Sequence, residues 1–192
     1  MNKQFTFFIC DFETTGLDPR KDYPIEIGGL FLDSGFSILG VYQSFIGFPE
    51  LSRRILSNEN EWPEEYVEAY QFHKIEARTI IGKPESLEER LIDLRPSLIV
   101  AEDLTGLCSV FNKGPKKVII ISDNAQFEYW FMMRIFDDAQ VEFPFHYCAW
   151  DTSMLLELSE IESSKDYNHR SLNDVGKLYQ RLLRARERLN LF

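Results

Sequence analysis

Asp11 and Glu13 stand one residue apart in DFETTGL, residues 11–17, directly after the apolar run FTFFIC, residues 5–10. The run is short and aromatic and reads as a buried strand. If the strand continues through residue 13, the two acids share one face, because strand side chains alternate with period two. Like charges at the end of a buried strand repel each other and lose hydration, and a bound divalent cation offsets that cost. Two more polar clusters lie beside apolar elements. In NAQFE, Glu128 falls one turn into a helix, and Asn124, four residues earlier, is expected on the same face. In HRSLND, His169 precedes Asp174 near the start of the last helix, and Asp174 lies beside the apolar stripe that begins at Val175, so it is placed to point at the sheet edge. Hard divalent cations prefer carboxylate oxygens and keep positions open for water and phosphate. Two of them roughly 4 Å apart stabilise the attacking and leaving oxygens of a phosphodiester displacement. A histidine nearby has the pKa to take a proton from the attacking water.

Taken in order, these strings resemble the motifs of the DEDDh branch of the 3′-to-5′ exonucleases, within the ribonuclease H-like fold. DFETTGLDP is similar to the first motif, and HRSLND to the third at His169 and Asp174. NAQFE is similar to the second, with Glu128 where the family has Asp. YQFHKI, residues 70–75, and WDTSMLL, residues 150–156, also resemble stretches at matching places; residues 77–112 resemble nothing in particular. The resemblance implies that Asp11, Glu13, Asp174 and Glu128 hold two Mg²⁺ or Mn²⁺ ions, with Asp11 bridging them, and that His169 is the general base. It further implies that Leu17 packs on the terminal base, Thr14 contacts the 3′-terminal sugar and Asn124 holds the 3′-end nucleotides. The activity implied is hydrolysis at single-stranded RNA or DNA 3′ ends, releasing 5′-mononucleotides. Glu128 is the departure. Its extra methylene moves the carboxylate by roughly 1.5 Å, which strains direct ligation of octahedral Mg²⁺ but lets the side chain displace a bridging water. Asp123 is a stand-in at the same place. Two alternatives stay open: a module of the same fold that binds nucleic-acid ends or a protein with catalysis reduced, and a proofreading-type DNA exonuclease subunit.

Positioning such residues requires a sheet edge with helices beside it. Residues 24–33 and 37–48 read as two further strands joined at Asp33-Ser34-Gly35, which makes an antiparallel meander. A helix is expected around residues 85–94 and another over 101–112, ended by Lys113-Gly114-Pro115. KKVIIIS, residues 116–122, is a buried strand that leads into the helix carrying Glu128. HYCAW, residues 146–150, supplies a fifth strand, after which Asp151 or Thr152 caps a helix. The last helix, 171–189, carries Val175, Leu178, Leu182, Ala185 and Leu189 along one face. The expected architecture is a ribonuclease H-like α/β fold: a mixed five-stranded sheet, three strands in a meander, flanked by helices in a single domain spanning 1–192.

Composition bounds the partners. The net charge of −10 argues against coating long duplexes through broad electrostatics, and leans toward short single strands, RNA slightly before DNA. Three cysteines without paired spacing fit reduced thiols in a cytoplasmic protein. A zinc site from Cys10, His146 and Cys148 lacks a fourth ligand, and small buried thiols are the expectation. No apolar run approaches the roughly 20 residues of a membrane span, so no membrane partner is expected. Lys177, Arg181, Arg184 and Arg188 form a basic stripe that either meets phosphates or is a solvated face. Trp62, Tyr66, Tyr70 and Phe72 either stack on bases or pack on the sheet. Leu189, Leu191 and Phe192 at the end of the chain dock on their own core or on a second copy in a homodimer.

Overall fold

The computed structural model describes residues 5–90, 93–114, 116–161 and 169–189. The first three strands form the antiparallel meander the sequence predicts: β1 (Phe7–Thr14), β2 (Pro24–Leu32) and β3 (Ile38–Gly47). The Asp33 side chain accepts the N–H groups of Gly35 and Ser37 and closes the turn between β2 and β3. Then come α1 (Pro49–Ser57), a 3₁₀ turn, α2 (Val67–His73), α3 (Ala77–Ile80), α4 (Leu87–Arg90), β4 (Leu94–Pro96) and α5 (Ser97–Phe111). The chain finishes with β5 (Ile119–Ser122), α6 (Ala125–Ala139), β6 (Trp150–Asp151), α7 (Ser153–Leu158) and α8 (Ser171–Arg188).

The strands form one mixed sheet in the order β4-β3-β2-β1-β5-β6, so among the described residues it has six strands rather than the expected five. The extra strand is β4, three residues paired parallel to the end of β3. It takes the end of the stretch where a helix over 85–94 is expected; the helix described there is Leu87–Arg90. Pro96 then ends the strand and begins α5 four residues before position 101, because a fixed φ and a missing N–H suit a helix start. The expected strand over 146–150 is also displaced. Phe145 bridges Val118 and β6 pairs with β5, while between them His146 Nδ1 accepts the Cys148 N–H and turns the chain. Of the two expected caps for α7, Thr152 holds the N-cap position without a side-chain bond, while the Oδ1 of Asp151 just before it accepts the Ser153 N–H at 2.9 Å. No helix among the described residues is long and apolar enough to cross a membrane.

The period of β1 divides the core. Phe8, Cys10 and Phe12 join the cluster that holds Phe31, Phe45, Phe131 and Phe136 under α5 and α6. Phe7 and Ile9 face the other way, onto Ile119, Ile121 and the Val175–Leu178–Leu182–Ala185 stripe of α8. Asp11 and Glu13 continue that second row and so emerge beside the start of α8. Gly28 on β2 permits the close approach: a Cβ there would lie 2.3 Å from the backbone nitrogen of Leu172 in the first turn of α8. Gly28→Ala therefore forces that turn away from the sheet. The expected outcome is a loss of about 1–3 kcal/mol, as for an overpacked core, measured by urea denaturation against wild type.

Candidate active site

Four of the five carboxylate and imidazole groups singled out by the sequence are delivered by three elements that meet at the end of β1. Glu13, on the last turn of the strand, is buried and lies opposite Glu26 of β2 in register. Asp174, in the first turn of α8, is also buried, its N–H held by the carbonyl of Arg170 at 3.1 Å. Glu128, in the first turn of α6, is 3% exposed, so it is not the surface charge an isolated helical Glu would be. The Phe12 N–H bonds to its carboxylate, whereas Oε2 is buried without a hydrogen-bond partner. Asp11 is half-buried between them. His169 precedes α8 in a left-handed conformation, φ 50°, uncommon for a non-glycine residue. One donor atom from each of Glu13, His169 and Asp174 falls within 4.8 Å of the others, the set among the described residues that could share a metal ion.

Gathering acids in a buried place raises their proton affinity. Burial pushes Asp11 well above the usual carboxylate range, with the charges of Glu13, Asp174, Asp123 and Glu26 adding to it. Glu13 is pushed up to about 8, by burial first and then by Glu26 and Asp174, with Arg170 acting the other way. Glu128 is raised by burial, then by Asp11, Asp123 and Glu13, and the Cys10 thiol behind it is raised by burial, Glu128 and Asp11. Cations around the rim answer part of this charge: Arg170 at Glu26, Lys177 at 3.5 Å from Asp174 and Arg181 at 3.5 Å from Asp123. The donor set of two carboxylates and one imidazole, to which Asp11 and the partnerless Glu128 oxygen do not belong, fits a hard divalent cation better than it fits zinc held by thiolates.

Leu17, Thr14 and Asn124, expected from the sequence to meet a substrate, lie in three different settings. Leu17 is 83% exposed at the tip of a loop pinned at its base. There Thr15 exchanges backbone and side-chain bonds with Tyr23, and the Asp22 carboxylate accepts the Asp18 N–H. Leu17, Asp18, Pro19, Arg20 and Trp130 line a cleft of about 550 Å³. Thr14 is buried, and its hydroxyl donates to the Gly16 carbonyl at 2.6 Å, so it offers a ligand its lone pairs. Asn124 does not share the face of Glu128. It is the N-cap of α6 with φ −138°, outside the helix, and its side chain is exposed while that of Glu128 is buried. The aromatic group divides: Trp62 and Tyr66 are core, whereas Phe72 is exposed with its ring edge-on to His169 at 5.7 Å. The basic stripe is largely engaged, with Arg181 and Lys177 on acids of the site and Arg188 on the carbonyls of Ser159 and Glu160. Cys148 is exposed and Cys10 fully buried, so the expectation of buried thiols holds for Cys10 and Cys108 and fails for Cys148. Leu191 and Phe192 lie outside the described residues.

Sequence reasoning passed over Glu26 and Arg170, and it singled out Lys177 and Arg181 as a basic stripe without pairing them with Asp174 and Asp123. Glu26 left a signal: β2 is buried at all nine positions, and an acid inside such a run needs a partner.

No protein-family model matches the chain. A 40-residue stretch is 42% identical to exodeoxyribonuclease I of Haemophilus influenzae, covering 21% of this chain and 8% of that protein. Among solved structures, the zinc-bound form of the Escherichia coli exonuclease I–single-stranded DNA complex superposes with a TM-score of 0.68 at 17% identity, over 98% of this chain and 42% of that one. The same E. coli exonuclease with a dT13 oligonucleotide gives 0.65 at 18%, over 96% and 42%. A moderately thermophilic exonuclease I from Methylocaldum szegediense gives 0.55 at 14%, over 84% and 31%. The chain shares its fold with these enzymes, which is the ribonuclease H-like fold, and spans less than half of their length.

The raised acids set the pH dependence of the metal-free protein. Glu13 binds its proton more tightly folded than unfolded, so its contribution to stability is full below its ordinary value of 4.5 and is lost as pH rises through about 8. In EDTA, the melting temperature should fall between pH 5 and pH 8, and Glu13→Gln should flatten that fall. Differential scanning calorimetry across that range checks it.

Proposed function

We propose that the chain is a metal-dependent 3′-to-5′ exonuclease acting on single-stranded DNA ends. The observation that carries this reading is the meeting of Glu13, His169 and Asp174 within 4.8 Å, beside Asp11 and the partnerless oxygen of Glu128. Such a cluster is costly to bury without a cation, and a structural role gives no reason for it. The preference for DNA over the slight lean toward RNA rests on the exonuclease I structures, which are complexes with single-stranded DNA.

Asp11, Glu13, Asp174 and Glu128 would hold two Mg²⁺ or Mn²⁺ ions, which when bound supply charge neutralisation and Lewis acidity at the scissile phosphate. His169, held on the rim by α8, takes the proton from the attacking water at a ring nitrogen. Leu17 meets the terminal base, Thr14 accepts a hydrogen bond from the terminal sugar, and exposed Asn124 contacts the nucleotides behind it. The buried position of Glu128 favours its retention as a ligand over a site turned to binding alone.

The test uses 5′-labelled single-stranded DNA and RNA of one sequence, with Mg²⁺, Mn²⁺ or EDTA. A ladder shortening from the 3′ end, stronger on DNA and absent in EDTA, is the expected result. Asp11→Asn should remove it, and His169→Ala should lower kcat by roughly 10²–10⁴-fold, the usual worth of a general base. Leu17→Ala should raise KM by about tenfold with kcat kept, for the loss of one side chain's apolar contact. Absence of cleavage with either metal and either sugar would leave the binding-module reading.

A further inference from the structure

Glu26 is fully buried, yet it takes no part in the chemistry described above. Both its oxygens are engaged. Arg170 donates from Nε to Oε2 at 3.1 Å and from the second guanidinium arm to Oε1 at 3.3 Å, and Gln43 Nε2 adds a bond to Oε1 at 2.9 Å. The guanidinium also lies over the Phe45 ring, 5.5 Å from its centre. Three hydrogen bonds from Arg170 and Gln43 thus occupy both oxygens of Glu26. A fork-to-fork pair of this kind fixes the plane and position of the guanidinium, not only its charge.

Arg170 joins two residues of the site through its backbone. It is the N-cap of α8, and its carbonyl accepts the N–H of Asn173 at 2.9 Å and of Asp174 at 3.1 Å. On its other side is His169, in the left-handed conformation, with its ring edge-on to Phe72. One residue thus links the backbone of the imidazole to that of an acid, and Glu26 ties that residue to β2, two positions from the glycine that admits α8.

We infer that the buried Glu26–Arg170 ion pair is a positioning device, holding His169 and Asp174 in register with Glu13 across the gap between sheet and helix. The inference rests on the proposed function for its kinetic consequence but not for its geometry. In this role the fork matters beyond the charge. Arg170→Lys keeps the cation but cannot span both oxygens, and Glu26→Gln keeps the shape but drops the anion.

The experiment measures kcat and KM on single-stranded DNA for both variants, with ring–ring NOEs recorded in the same proteins. The Phe72–His169 NOE reports the placement of His169. The Trp62–His73 contact, with centroids 5.8 Å apart inside the core, reports that the fold is intact. A kcat roughly 100-fold lower with KM nearly unchanged is expected, as for a catalytic group displaced by about an ångström. With it, the Phe72–His169 NOE should disappear and the Trp62–His73 NOE should remain. Wild-type kcat with both NOEs intact would overturn the inference, as would either change without the other. Loss of both NOEs in Arg170→Lys would also overturn it, making the pair a general element of folding. If the wild type cleaves nothing, the proposed exonuclease falls, while the two NOEs still decide the positioning role.

Discussion

Mutual repulsion among buried carboxylates is the constraint that organises this molecule. Asp11 and Glu13 reach the rim on one face of β1 because the strand alternates, and Glu128 and Asp174 converge on them from two helices. Nothing in a close-packed core tolerates such a group unless protons, cations or a metal answer the charge. Two of these answers are in place, raised proton affinities and basic side chains around the rim, while one buried oxygen of Glu128 keeps no hydrogen-bond partner. The sheet, the glycine beneath α8 and the left-handed turn at His169 serve to bring these charges together and hold them there.

The cations around the cluster come from one end of the chain. Arg170, Lys177 and Arg181 all belong to α8 or its cap, and the same helix donates Asp174. The face of the helix beside them supplies the apolar row that covers Ile9, Leu30 and Ile121. Packing and electrostatics are therefore coupled through one element: whatever shifts α8 changes the core and the charge balance of the rim together.

Much of this was legible in the sequence where local pattern and long-range role coincide. The continuous apolar runs gave β1, β2 and β5, and the three-and-four spacing gave α8, because burial leaves a periodic trace. The residues of the cluster were legible because each is anchored at the start or end of such an element. What escaped was set by partners distant in sequence. β4 is three residues long and exists only by pairing with β3, so it has no pattern of its own. The pairing of Arg170 with Glu26 spans 144 positions and no periodicity announces it. Asn124 was misplaced because the four-residue rule applies inside a helix and it sits just outside one.

The loop that displays Leu17 has a further consequence. Its base is tied by Thr15 to Tyr23 and by Asp18 to Asp22, so the tip is held out without a core beneath it. Leu17 and neighbouring Pro19 line their cleft with side chains that carry no donor or acceptor. Such a surface registers the flatness and breadth of a partner and is blind to the order of hydrogen-bonding groups along its edge. On the proposed function, a base lodged against Leu17 and Pro19 would be held by its ring face, and discrimination among the four bases would fall to polar neighbours such as Asp18 and Arg20.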